Sequence, residues 1–286
     1  MRVGLIGIGI LGHAVAEVLL DKGFDLIVHD IRPEAVADLA PLGATVVDDV
    51  ATVGSRCGVV LVLVQTDAQC HQVIEDLVGQ AQAGTVVALL ATIHPSTARS
   101  LAARGESQGL RVIDAPLAGK GAGGVRAGEV WILAGGNAEA VETARPVLEA
   151  FAAKVVSTGP IGSGAALKLA HNVVVYLSYL GVAEGLALAR AAGVEAGALR
   201  AVTGASATLS GQGERYLRML EGPAPDPDDR EMAATMRTFA DILEKDLRHA
   251  VHFAQSLDLE LPGADLASGM GHELYRIPDS DRSNSI

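Results

Sequence analysis

The sequence predicts an α/β domain built on a doubly wound parallel sheet, followed by an all-α domain. Three observations carry that expectation. Residues 1–160 alternate short Val/Ile/Leu-rich runs with segments of helical periodicity, the pattern of strands joined by crossover helices. A glycine-rich turn closes the first of those runs. After Gly159–Pro160 the strand-like runs vanish, and Ala, Leu, Glu and Arg dominate to about Leu274. The expected division is therefore 1–160 and 161–286, the second domain opening with a long helix.

The strands are expected at Val3–Ile6, Asp25–His29, Val59–Val64, Val86–Leu90, Val112–Ala115 and Val130–Ala134. Each is short and continuously apolar, as strands buried on both faces of a parallel sheet are. Helical periodicity falls on Pro33–Leu42, Ala68–Val78 and Pro95–Arg104. In the second half, prolines and acids crowd Gly222–Arg230 and predict a loop. Pro278–Ile286 is polar and expected to fray.

The 286 residues are 49% apolar but only 3% aromatic, so the core must be built from aliphatic side chains. The formal charge is −12, with no block of Lys and Arg. A surface of that sign repels phosphate backbones and anionic membranes, so neither is an expected partner. Cys57 and Cys70 have no metal-like spacing and suggest no disulfide framework. No metal site is expected, and a reducing, cytoplasmic compartment is. The first residues have the basic and apolar character of a signal peptide, but their glycine spacing has a better explanation. Ala165–Ala192 is apolar enough to suggest a membrane span. It carries Lys168, His171, Asn172, Glu184 and Arg190, so a buried helix is expected instead.

Gly7-Ile8-Gly9-Ile10-Leu11-Gly12 is a G-x-G-x-x-G turn. Among 33 glycines the spacing alone is weak, but here it follows a strand and opens a helix. The first glycine permits the tight turn, the second admits a pyrophosphate, and the third lets helix pack on strand. The helix N-terminus then offers unpaired N–H groups to phosphate. Asp30 closes the second strand where an acid can accept the ribose hydroxyls of a dinucleotide. A carboxylate there repels the 2′-phosphate of NADP and favours NAD. Arg32 could instead receive that phosphate, so NADP stays possible.

Gly162-Ser163-Gly164-Ala165-Ala166-Leu167-Lys168-Leu169-Ala170-His171-Asn172 opens the second domain. Lys168 and Asn172 share a helix face, which Val175 and Tyr179 continue. A lysine among apolar neighbours either snorkels to solvent or sits desolvated and ready for acid/base chemistry. The residues themselves leave both readings open.

This segment resembles the G-x-G-x-x-x-K-x-x-[NH]-N signature of the β-hydroxyacid dehydrogenases, the group of 3-hydroxyisobutyrate, tartronate semialdehyde and 6-phosphogluconate enzymes. Asp114, Pro116, Gly119 and Gly128 match a second family signature, and Lys245-Asp246-Leu247 a third. With the N-terminal glycine turn, the motifs stand in family order over nearly the whole chain. The resemblance implies an N-terminal Rossmann domain and an all-α C-terminal domain. It implies hydride transfer between NAD and a small 3-hydroxy acid or its semialdehyde, with Lys168 as general acid/base and Asn172 orienting the substrate or the lysine. Ala118-Gly119-Lys120 would hold the substrate carboxylate, Val64, Gln65 and Thr92 would line the nicotinamide side, and Lys245 would reach towards the cofactor.

The departures from the pattern bear on substrate. Ala118-Gly119-Lys120 replaces the usual Ser-Gly-Gly, removing a hydroxyl donor and adding a cation that either pairs with the substrate or points to solvent. Gln65 and Ala91 replace a usual proline and a common serine. Val175 stands where the 6-phosphogluconate branch carries a glutamate, so its decarboxylation is not expected. A catalytically silent nucleotide sensor or scaffold, and an NADPH-dependent imine reductase, are the alternatives. Both are expected to have lost the lysine. The long apolar helix points to a homodimer or higher homo-oligomer.

Overall fold

The computed structural model describes residues 2–223, 226 and 229–277. The chain divides into two compact units, Met1–Lys168 and Leu169–Ile286. The expected frayed tail, Pro278–Ile286, and Ala224, Pro225, Pro227 and Asp228 of the expected acidic loop lie outside the described residues.

The first unit holds β1 (Arg2–Ile6), β2 (Asp25–His29), β3 (Thr45–Val46), β4 (Val59–Val62), β5 (Val86–Leu89), β6 (Arg111–Asp114), β7 (Leu117–Ala118), β8 (Val130–Gly135) and β9 (Ala152–Gly159). Its helices are α1 (Ile10–Asp21), α2 (Val50–Arg56), α3 (Asp67–Leu77), α4 (Pro95–Glu106), α5 (Gly121–Arg126) and α6 (Ala138–Leu148). The strand order is β3-β2-β1-β4-β5-β6-β8-β7, with β9 beside β8. Strands β1 to β6 pair in parallel. The sheet is mixed beyond them: β8 runs antiparallel to β6 and β7, and β9 parallel to β8.

Both faces of the parallel strands are covered, which explains their unbroken apolar runs. Val59 and Leu61 of β4 join a core under α1 and α6, while Val60 and Val62 join another under α2, α3 and α4. Each such side chain contributes about 1.5–3 kcal/mol on burial. Cys57 and Cys70 both lie in the second core. Thr66 and Gln69 close a capping box at the start of α3, satisfying backbone N–H groups that the helix leaves unpaired.

One helix expectation fails. Pro33–Leu42 forms a 3₁₀ turn at Pro33–Ala35 and further turns. Pro41 disfavours helical geometry in the residue before it and cannot donate its own N–H, so the stretch is too short to propagate. The short helices α2 and α5, and α6, were not foreseen. Nor were strands β3, β7 and β9.

The second unit is helical among the described residues. It carries most of α7 (Ser163–Ala191), then α8 (Ala196–Ala205), α9 (Gly211–Glu221), α10 (Arg230–Gln255), α11 (Pro262–Ala267) and α12 (Gly271–Leu274). Val182 and Leu186 of α7 pack with Leu217 and Leu220 of α9 and Leu243 and Leu247 of α10. Tyr179 stacks on Tyr216 at 4.3 Å between ring centroids. The expectation of a buried apolar helix is not met, since only 17% of the most apolar window of α7 is buried. By length and composition α7 could cross a membrane. Val174 and Leu188 of α7 stand exposed.

Candidate functional site

The parallel strands β1, β2, β4, β5 and β6 end along one edge of the sheet. That edge gathers the glycine turn after β1, Asp30 after β2, Val64-Gln65 after β4, Thr92 after β5 and Asp114 at the end of β6. Strand β1 is flanked by β2 on one side and β4 on the other. The winding reverses there, and a crevice for ligands opens at such a point in doubly wound sheets. The residues expected to hold the dinucleotide, Lys245 of the second unit apart, thus lie within the first unit.

The glycines of the turn are required by close packing. Gly7 adopts φ +94°, and a Cβ there would lie 2.5 Å from the Leu63 carbonyl oxygen. A Cβ on Gly12 would lie 2.1 Å from the Gly7 carbonyl oxygen. At Gly9 the same construction meets nothing within 4 Å, so the backbone is open to a ligand on that side. Gly9 is the N-cap of α1 and makes no side-chain cap hydrogen bond. Bare amides, helix dipole and open backbone together fit a pyrophosphate. Ile8 is buried, Leu11 half-buried and Ile10 exposed.

Asp30 is tied down on both oxygens. Its Oδ2 accepts the Ile8 N–H at 2.7 Å, and its Oδ1 accepts the Arg32 N–H at 2.9 Å and Nε at 3.2 Å. Burial works to raise its pKa, but the N–H donors of Arg32 and Ile8 and the Arg32 charge outweigh it and hold the carboxyl below its usual range. The group is ionised at neutral pH. Val64 and Thr92 are half-buried, while Gln65 is exposed and donates its backbone N–H to Gln69 Oε1 at 2.9 Å.

Lys168 is half-buried in α7, whose first turn is fastened to the same edge by Asp114. This carboxylate is completely buried. It accepts the Gly162 N–H at 2.8 Å and the Ala165 N–H at 2.6 Å. Burial pushes its pKa up, against the pull of those N–H groups. Ala118 ends β7, and Gly119 takes φ +150° packed against Val130. Lys120 is exposed and pairs with Glu129 at 2.6 Å. The expectation for Lys120 named the substrate or solvent, not Glu129.

In the helical unit Asn172 is buried and donates from Nδ2 to Asp246 Oδ2 at 2.7 Å. Its Oδ1 lies 3.1 Å from His171 Nδ1. Asp246 is 1% exposed and also pairs with Lys245 at 3.0 Å. The amide of Asn172 is therefore oriented by a buried carboxylate. Asp246 was missed as an organising residue although it stands inside the Lys245-Asp246-Leu247 motif. Lys245, expected to reach towards the cofactor, pairs with Asp246.

Residues 2–159 match the NAD binding domain of 6-phosphogluconate dehydrogenase. Residues 162–285 match a domain described as NAD-binding of NADP-dependent 3-hydroxyisobutyrate dehydrogenase. The chain belongs to the β-hydroxyacid dehydrogenase family. Among this family's curated members, the L-threonate dehydrogenase of Cupriavidus necator is 34% identical over 281 residues, covering 96% of this chain and 90% of the relative. The NAD-dependent L-serine dehydrogenase of Pseudomonas aeruginosa is 30% identical, covering 100% of this chain and 96% of its own. The 3-hydroxyisobutyrate dehydrogenase of Salmonella typhimurium shares the fold with TM-score 0.84 at 27% identity, over 96% of this chain and 93% of that structure.

Proposed function

We propose that this chain oxidises the hydroxyl of a small 3-hydroxy acid to a semialdehyde, or runs the reverse reduction, with NAD as coenzyme and Lys168 as general acid/base. The observation that carries the reading is that the glycine turn, Asp30 and Lys168 belong to one compact unit, with the lysine-bearing helix fastened to the same sheet edge. Bound NAD supplies a nicotinamide ring that accepts hydride from the carbinol carbon. Neutral Lys168 takes the hydroxyl proton as the carbonyl forms, and the ammonium returns it in the reverse direction. The role assigned to Asn172 is to orient the substrate or the lysine, and its own amide is held by Asp246. Backbone N–H groups of Ala118-Gly119-Lys120 hold the substrate carboxylate.

Three acids represent the chemistry of the relatives: L-threonate, L-serine and 3-hydroxyisobutyrate. Each, offered with NAD and with NADP, tests the reading by the appearance of reduced nicotinamide. A cyclic imine with NADPH tests the imine reductase alternative, and silence with every pair supports the sensor or scaffold alternative. Retention of Lys168 favours the dehydrogenase.

The coenzyme preference rests on Asp30. Its ionised carboxylate meets the ribose hydroxyls of NAD and repels a 2′-phosphate, and it also occupies the Arg32 guanidinium. Asp30→Ala removes the repulsion and releases Arg32 to receive that phosphate. The ratio of kcat/KM for NAD to that for NADP is expected to fall by about an order of magnitude or more, the size of one lost charge-assisted hydrogen bond. An unchanged ratio would assign the choice to another group.

The same proposal includes a cytoplasmic homodimer or higher homo-oligomer. Val174 and Leu188 on α7 are 72% and 73% exposed, and a second copy of this helix would cover them. Val174→Glu with Leu188→Glu is expected to give monomers in sedimentation. A wild-type monomer would remove the oligomer from the proposal.

A further inference from the structure

We infer that Asp114, seated between Gly135 and Gly164, is a positioning residue that sets where Lys168 stands. The inference rests on the acid/base reading of Lys168 and asks what holds that lysine in register. Asp114 is the last residue of β6 and the one residue of β6 registered with β8, opposite Gly135. It therefore sits where the sheet changes from parallel to antiparallel pairing.

The N-terminus of α7 comes down onto that point. Asp114 Oδ1 accepts from Gly162 and Oδ2 from Ala165, so the two oxygens grip the helix start on either side of Ser163-Gly164. A buried carboxylate is costly unless its lone pairs are satisfied. Here backbone N–H groups and the positive end of the helix dipole do this. The seat is too tight for side chains. A Cβ on Gly164 would lie 2.1 Å from the Leu133 carbonyl oxygen. A Cβ on Gly135 would lie 2.6 Å from Asp114 Oδ1 and 2.9 Å from the Gly164 amide nitrogen.

Lys168 follows Ala165 by less than one turn, or about 4.5 Å of helix rise. Nothing flexible intervenes, since both residues are helical. A displacement of the first turn is passed on directly to the lysine. The placement also explains the two glycines that precede the lysine. Gly162 takes φ +90° with the Pro95 carbonyl oxygen 3.0 Å from its Cβ position, and Gly164 permits contact with β8.

Asp114→Asn and Gly135→Ala test the inference in the full chain. Asparagine keeps one acceptor oxygen and turns an NH2 donor towards a backbone N–H. Gly135→Ala leaves the charge in place and crowds the seat, so it decides the matter if the first variant does not fold. Each variant is compared with wild type, below its own melting temperature, in three measurements: NAD dissociation constant, kcat, and the pH profile of Lys168 modification by an amine-reactive reagent, read by mass spectrometry. The expected result is a kcat lower by about tenfold or more, because misplacement by about 1 Å is worth up to about 10²-fold. NAD affinity stays within about twofold, and the Lys168 modification profile shifts. A folded variant with kcat near wild type and an unchanged modification profile would overturn the inference, leaving Asp114 a purely structural group. The modification readout needs no turnover, so failure of the acid/base reading is told apart by Lys168→Ala.

Discussion

Lys168→Ala is expected to turn over about 10²–10⁴-fold more slowly than wild type, the range for loss of a positioned proton carrier. The loss should fall on kcat and on kcat/KM alike, since the interaction removed belongs to the transition state. NAD affinity should change little, because the glycine turn and Asp30 lie on the strand ends and make their contacts without the lysine. Stability should hold as well, as alanine is the strongest helix former and Lys168 is only half-buried in α7. Stopped-flow turnover together with NAD titration separates these quantities. A variant keeping more than about a third of wild-type kcat would fall far outside that range and take the proton-transfer role away from Lys168.

Gly12→Ala is expected to cost both nucleotide affinity and stability. The new methyl group lies 2.1 Å from the Gly7 carbonyl oxygen, a backbone atom that cannot swing aside as a side-chain tip can. Helix α1 must lift from β1 or the turn must open, at a cost of about 1–3 kcal/mol for an overpacked site. Either movement turns the amides at the start of α1 away from the pyrophosphate. NAD affinity is expected to fall by about tenfold or more, which corresponds to about 1.4 kcal/mol. Gly9→Ala is the informative comparison, because its Cβ meets open space. It should spare thermal stability and weaken NAD alone. Equal losses of stability in the two variants would contradict the assignment of Gly12 to packing and Gly9 to the ligand.

What the sequence disclosed follows the range of the interactions involved. Strands β1, β4 and β5 were legible because both of their faces are buried, which writes a continuous apolar run into the chain. Strand β9 was not, since among Ala152–Gly159 only Val155 is buried and the rest, Val156 aside, are polar or small. The glycine turn was legible because its constraints are local: Gly12 packs against Gly7, and the helix begins between them. Asp30 was placed by its position after β2, but its grip on the Ile8 N–H was not. The seat of α7 was hidden for a similar reason, as Asp114 reaches donors 48 and 51 residues further on. Asp246 and Asn172 are 74 residues apart. The family motifs contain both Asp114 and Asp246 without saying what they hold. Lys120 shows the converse, a residue whose departure from the family pattern drew a substrate role and whose partner in the fold is Glu129.

Direct transfer of hydrogen tests the central claim. L-serine and 3-hydroxyisobutyrate deuterated at the carbon bearing the 3-hydroxyl, and L-threonate deuterated at all its carbinol carbons, are incubated separately with the protein and NAD, and the recovered reduced nicotinamide is weighed by mass spectrometry. The account predicts that at least one acid delivers its deuterium to the nicotinamide ring, and that Lys168→Ala suppresses the transfer. Unlabelled NADH, or none from any of the three with either coenzyme, would contradict it.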